Sequence, residues 1–377
     1  VAGINLMESI QNKFSEKNLG GKIDDSITFS TGTDVVDIYA ASRNPETGDI
    51  IPGLPYGKIF TIVGKSGTGK TTLAVQSAWN MIAPFENGGI IHLDYERSSK
   101  TPRIQKILGI TEEEMNARYM HINDDNLYTE TLYEQVRQIA NIKRANRDAL
   151  LVDYESPEGP TVRILPPTII LIDSIAAMVP KNITEEEELS GSMSASAIAK
   201  TNNGVFKRIM GDLIGANITV ICINHLTTKI SINPMQKVVA DVNYLKADES
   251  MPGGSASIYL CDTLLKLVTK GKLDPEKEFG IRGFYAEGMF IKSRSAAAGR
   301  PFTLVYDQNY GFSNVYTNYV MLKEQKLVGG AGQGFYLDGL PNIKFSQKNF
   351  AEKLNTVPAL QNRYEELLSA RAEELID

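Results

Sequence analysis

The octapeptide Gly64-Lys65-Ser66-Gly67-Thr68-Gly69-Lys70-Thr71 constrains the fold more tightly than any other feature of the chain. It follows an apolar, β-branched run, Ile59 to Val63, and leads directly into a stretch with helical character, Lys70 to Ile82. Glycines allow the backbone to wrap an anion, and the N–H groups of the loop and of the helix start point inward at it. G-x-x-x-x-G-K-[ST] between a strand and a helix therefore predicts a phosphate-binding loop, Gly64 to Thr72. Within it, Lys70 reaches toward the β- and γ-phosphates of a nucleotide, and Thr71 offers its hydroxyl to Mg²⁺.

Further buried-looking runs recur along the chain: Gly89–Tyr95, Thr168–Asp173 and Ile218–Asn224. Nearly continuous apolar character is the mark of strands covered on both faces of a parallel sheet. Helical stretches, Thr129–Arg144 and Ser196–Ile214, alternate with them, which predicts a doubly wound α/β domain. The segment 37–56 is rich in Pro and Gly and reads as a turn-rich hairpin, and 147–167 reads as a peripheral hairpin. Beyond about Phe312 the alternation stops, and short helices surround a glycine-rich turn at Gly329–Gly334.

No apolar run reaches the roughly 18 residues a membrane span requires. Val1–Ser15 lacks the basic start and cleavage site of a secretory signal. Cys222 and Cys261 sit inside apolar runs, as small hydrophobes do in a reducing compartment. The expected location is cytoplasmic. Lys and Arg total 39 against 45 Asp and Glu, a net charge of -6. That balance argues against a nucleic-acid binder without excluding one, because the local field decides.

Two carboxylate positions complete the chemistry. Asp173 ends an apolar strand, at the edge where open α/β sheets bind ligands, and is a candidate to support Mg²⁺ alongside Thr71. Leu93-Asp94-Tyr95-Glu96 ends the strand after the loop helix, and either carboxylate in it could polarise an attacking water.

The order of these motifs resembles the RecA family of recombination ATPases. Ser30–Ala40 with Gly53–Gly64, Ile172–Pro180, Cys222–His225, Pro252–Ser257, Phe290–Phe302 and the tail from Val320 onward each resemble a family segment, in sequence order. The resemblance implies a RecA-type P-loop ATPase core with a mostly parallel twisted sheet (31–311). A short N-terminal polymerisation arm (1–30) precedes it and a small C-terminal α+β module (312–377) follows. It implies ATP and Mg²⁺ as cofactors, Glu96 as the residue that activates water, and His225 as the sensor of the γ-phosphate. Lys292 and Arg294 would act on the ATP of a neighbouring protomer. Bacterial members carry glutamine where this chain has His225, and a histidine there resembles the phage branch. The family also stacks a tyrosine on the base where this chain has Ile104.

The resemblance further implies helical filaments of this chain on single-stranded DNA, paired with homologous double-stranded DNA. A single-strand-binding protein and a loading mediator are further implied partners. Two DNA-facing loops follow, 187–195 and 226–253. Met193, Lys200, Lys207, Thr227, Lys229, Gly253 and Gly254 are the candidate DNA-binding residues. Phosphate contacts position without reading sequence, which suits a protein that accepts any strand. The competing readings are a hexameric RecA-fold motor, a non-catalytic paralogue and a small-molecule kinase.

Overall fold

The computed structural model describes residues 27–44, 47–156, 161–184, 191–229, 240 and 242–376. The expected N-terminal arm lies outside them.

Among the described residues, nine strands form one sheet. They are β1 (Ile59–Gly64), β2 (Gly89–Asp94), β3 (Tyr119–Ile122), β4 (Thr168–Asp173), β5 (Ile218–His225), β6 (Thr263–Lys272), β7 (Gly283–Ser293), β8 (Pro301–Asp307) and β9 (Gly311–Phe312). Their spatial order is β9-β8-β7-β6-β1-β5-β4-β2-β3. The six strands from β6 to β3 pair in parallel, and β7, β8 and β9 extend the sheet antiparallel. The four runs read from the sequence are β1, β2, β4 and β5, all central. The antiparallel extension was not read, because its strands alternate buried and half-exposed residues and lack a continuous apolar run.

Side-chain alternation divides the core in two. On one face, Phe60 and Ile62 of β1 share a cluster with Leu73 and Ala74 of α2 (Lys70–Ile82). On the other, Ile59 and Val63 join Leu132 and Val136 of α4 (Thr129–Ala145) and Phe206 and Ile209 of α5 (Gly191–Leu213). Helix α1 (Asp34–Ala40) joins the same cluster as α2 through Val35, Val36 and Ala40, and helix α3 (Thr101–Leu108) packs against α2 beside the site. The C-terminal helices, α6 (Asn314–Glu324), α7 (Phe350–Thr356) and α8 (Pro358–Ile376), place Tyr319, Phe350 and Leu360 in the same cluster as α2.

Two expectations are corrected. The segment 37–56 begins with helix α1 and only then forms a short hairpin, Ser42–Arg43 with Ile50–Ile51. Val35, Val36 and Ile38 bury the helix against the core, which the Pro and Gly residues downstream obscured. The expected first loop is helical over its second half, since α5 starts at Gly191. Met193 therefore lies in the first turn of a helix. Ala195, Ala197 and Ala199 carry high helix propensity that outweighs the Ser and Gly among them. Residues 187–190 of that loop and 230–239 and 241 of the second lie outside the described residues.

Candidate active site

The carboxyl ends of β1, β2, β4 and β5 meet at an open cleft of about 360 Å³. The phosphate loop forms its floor. Gly67 (φ 78°) and Gly69 (φ 88°) hold left-handed backbone that side chains disfavour. A Cβ on Gly69 would stand 2.8 Å from the Phe312 ring, so the loop also needs glycine there for space. Helix α2 starts at Lys70 with no side-chain cap. Its first-turn N–H groups thus remain available to an anion.

Lys70 Nζ lies 2.9 Å from the carbonyl oxygen of Lys65, folded over its own loop. Burial lowers the Lys70 pKa, while Asp173 and Glu96 nearby act to raise it. Thr71 Oγ1 donates to Asp173 Oδ2 at 2.8 Å. Asp173 is 2% exposed, and burial, with Glu96 and Asp94 adding to it against the Thr71 hydrogen bond and Lys70, pushes its pKa up to about 6. A buried carboxylate raised in this way is one that a cation would relieve. The hydroxyl, carboxylate, lysine and open helix start together therefore fit Mg²⁺ and a nucleotide triphosphate.

Glu96 lines the cleft beside them. Its Oε1 accepts from Ser174 Oγ and lies 2.7 Å from His225 Nε2. Asp94, the other carboxylate of the motif, is 0% exposed and occupied: it accepts from Ser98 N, Ser99 N and His121 Nε2 at 3.3, 3.0 and 3.1 Å. Of the two, only Glu96 lines the cleft.

No family model matches the chain. It does resemble curated proteins named RecA. It is 27% identical to that of Mycoplasma mobile over 97% of this chain and 94% of the relative. It is 26% identical to that of Aquifex aeolicus over 71% and 62%, and 29% identical to that of Dichelobacter nodosus over 52% and 47%. Along nearly its whole length the chain thus resembles the RecA family.

Within this RecA-like site, a second cleft of about 330 Å³ adjoins the first, bounded by Thr71, Thr72, Val75, Arg103, Ile104 and Ile107. Ile104, 4% exposed, is part of the wall of this neighbouring cleft. Phe284 and Tyr306, stacked with ring centroids 4.5 Å apart, line the main cleft from β7 and β8. Ser174, Phe284 and Tyr306 were missed in the sequence. Ser174 follows Asp173 directly and could have been found, whereas the two aromatics reach the loop only through the antiparallel extension.

Lys292 and Arg294 are not in this cleft. Lys292 pairs with Leu264 of β6, and Leu264 with Thr61 of β1, three residues short of Gly64 along the strand. Lys292 Nζ donates to the carbonyls of Ile258, Tyr259 and Cys261, and Arg294 to that of Tyr259. Lys200 and Lys207, seven residues apart on α5, are both exposed on one helical face. At the root of the second loop, Thr227–Thr228 pairs antiparallel with Glu249–Ser250, and Lys229 N donates to Asp248 O at 2.6 Å. Gly253 has a structural reason of its own: a Cβ there would stand 2.5 Å from Ile175 Cγ2. Gly254 would meet Asn203 Oδ1 at 2.8 Å. Among the described residues, no helix is long and apolar enough to cross a membrane.

Proposed function

We propose that this RecA-family protein is a DNA-dependent ATPase that assembles as filaments on single-stranded DNA and promotes pairing with homologous duplex. One observation carries the reading: Glu96 and His225 are hydrogen-bonded at 2.7 Å, opposite the phosphate loop. His225 ends β5, and the DNA-facing second loop begins one residue later. A group that answers to the γ-phosphate is thereby joined to the loop that would answer to DNA.

Lys70 leaves the Lys65 carbonyl for the phosphates and neutralises charge that grows in the transition state. Glu96, held by Ser174 and His225, orients the attacking water and takes its proton. Mg²⁺, when bound, would supply positive charge that offsets that of the phosphates. Thr71 and Asp173 would hold it, the carboxylate kept in place by the threonine hydroxyl.

Lys292 and Arg294 act on a neighbour's nucleotide in this reading, supported by their distance from their own phosphate loop along the strands. Stacking of protomers would turn them from the 258–261 carbonyls to the partner, much as an arginine finger is supplied in trans. Lys200, Lys207 and Lys229, with Thr227 and the loop-root glycines, face the DNA backbone. A histidine at position 225 favours the phage-like branch. The test is ATP hydrolysis with and without single-stranded DNA. The proposal predicts strong stimulation, and a rate indifferent to DNA contradicts it.

A further inference from the structure

Behind Asp173 lies a buried group that the mechanism above leaves unused. β2 runs between β3 and β4, placing His92 opposite His121 on one side and Asp94 opposite Asp173 on the other. His92 and Asp94 are both 0% exposed. Tyr119 Oη sits 2.9 Å from His92 Nδ1. The His121 ring stacks on His92 at 4.8 Å and is itself bonded to Asp94 at 3.1 Å. His92 Nε2 has no hydrogen-bond partner and points toward Asp173 Oδ2, 4.0 Å away.

The ring lies in a dry site with no carboxylate within hydrogen-bond distance to pair an imidazolium, so it is read as the neutral ring. A neutral ring has one N–H, on either nitrogen. With the proton on Nδ1, the Nε2 lone pair faces carboxylates in a dry site and the Tyr119 hydroxyl proton loses its acceptor. With the proton on Nε2, Tyr119 donates to Nδ1 and the N–H dipole faces Asp173 Oδ2. Both neighbours favour the second arrangement, and neither favours the first. At 4.0 Å the contact is charge–dipole attraction, longer than a hydrogen bond.

We propose that His92, fixed by Tyr119 as its Nε2–H tautomer, is a positioning residue that orients the Asp173 carboxylate toward Thr71 and the metal. The proposal rests on the reading of Asp173 as the metal-supporting group. The pattern is that of outer partners which aim a ligating carboxylate, whose loss typically changes metal affinity about 10- to 100-fold.

Three variants and one control test it. His92→Phe keeps a ring in the core and removes both nitrogens. His92→Gln keeps an N–H near the position of Nε2. Tyr119→Phe removes the hydroxyl that selects the tautomer. In the nucleotide-free protein, long-range ¹⁵N–¹H correlation should show His92 protonated at Nε2, with the Nδ1–H form appearing in Tyr119→Phe. The Mg²⁺ concentration for half-maximal hydrolysis should rise about 10-fold in His92→Phe and return most of the way in His92→Gln. The KM for ATP at saturating Mg²⁺ should change little. Protonation at Nδ1 in the parent overturns the proposal, as does a folded His92→Phe with the parental Mg²⁺ requirement. Stoichiometric uptake of Zn²⁺ or Co²⁺ with loss of the Nε2 proton overturns it too, making the cluster a metal site. If His92→Phe does not fold, the ¹⁵N comparison of parent and Tyr119→Phe still decides. Asp173→Asn is the control: an unchanged Mg²⁺ requirement there shows that the underlying assignment of Asp173 has failed, independently of the tautomer.

Discussion

Lys70 and Glu96 face one cleft but have different roles in the proposed mechanism, and substitution should separate them. Lys70→Ala removes positive charge from the phosphates, so nucleotide binding and hydrolysis should fall together. Glu96→Gln keeps the side-chain shape and loses the base. Nucleotide affinity should stay near the parental value while DNA-stimulated kcat falls by about 10²- to 10⁴-fold. Equilibrium binding of a nucleotide analogue beside steady-state turnover distinguishes the two, and parental turnover in Glu96→Gln removes it as the base. At this scale the sequence was legible where chemistry is written in consecutive residues: the phosphate loop, Asp173 and the Asp94–Glu96 strand end. The family resemblance pointed to Glu96 over Asp94, and the fold adds a physical reason: the Ser98 and Ser99 amides and His121 already occupy Asp94. Tyr306, Phe284 and the His92–Tyr119 pair have no local signature at all.

Among the elements, β1, β2, β4 and β5 were readable because burial on both faces leaves a nearly unbroken apolar run. The edge strands and the start of α5 were not, since half-exposed strands and Ser/Gly-containing helix turns share their composition with loops. Helices α4 and α5 show how packing here is pinned by charge. Asp212 on α5 accepts from Arg137 at 3.1 Å and from Arg144, both on α4. Burial alone raises the Asp212 pKa, but the hydrogen bonds and charges of Arg144 and Arg137 outweigh it, and the net shift is downward. A carboxylate with a depressed folded-state pKa binds fewer protons folded than unfolded below about pH 4. Its contribution is therefore complete above that pH and is lost as pH falls through the lower folded value. Both guanidiniums are nearly half exposed (47% and 45%), so Asp212→Asn should cost about 1 kcal/mol at neutral pH, in the range of screened pairs. Thermal unfolding from pH 7 down to pH 3 checks it. The gap between parent and variant should narrow below about pH 4, and a gap that widens contradicts the assignment.

For the whole molecule, the site is split across the sheet: phosphate loop, Glu96 and His225 at one end, Lys292 and Arg294 toward the other. In the proposed reading, such a chain would hydrolyse ATP fully only when protomers stack. Lys292→Ala and Arg294→Ala should each retain nucleotide binding and lose most DNA-stimulated turnover. Mixing either with Glu96→Gln should restore part of it, because some interfaces then carry both missing groups. Turnover that ignores both substitutions and protein concentration removes the trans role. The net charge of -6 places the burden of DNA binding on few cations, so affinity should fall steeply with salt. Lys229→Ala should lower the log–log slope by about one unit. Linkage requires that whatever factor ATP adds to DNA affinity, DNA adds to ATP affinity. The most direct measurement is therefore single-stranded DNA affinity of the parent protein with an ATP analogue, with ADP and without nucleotide. Tightest binding with the ATP analogue is the predicted result, and equal affinity in all three states contradicts a nucleotide-coupled recombinase.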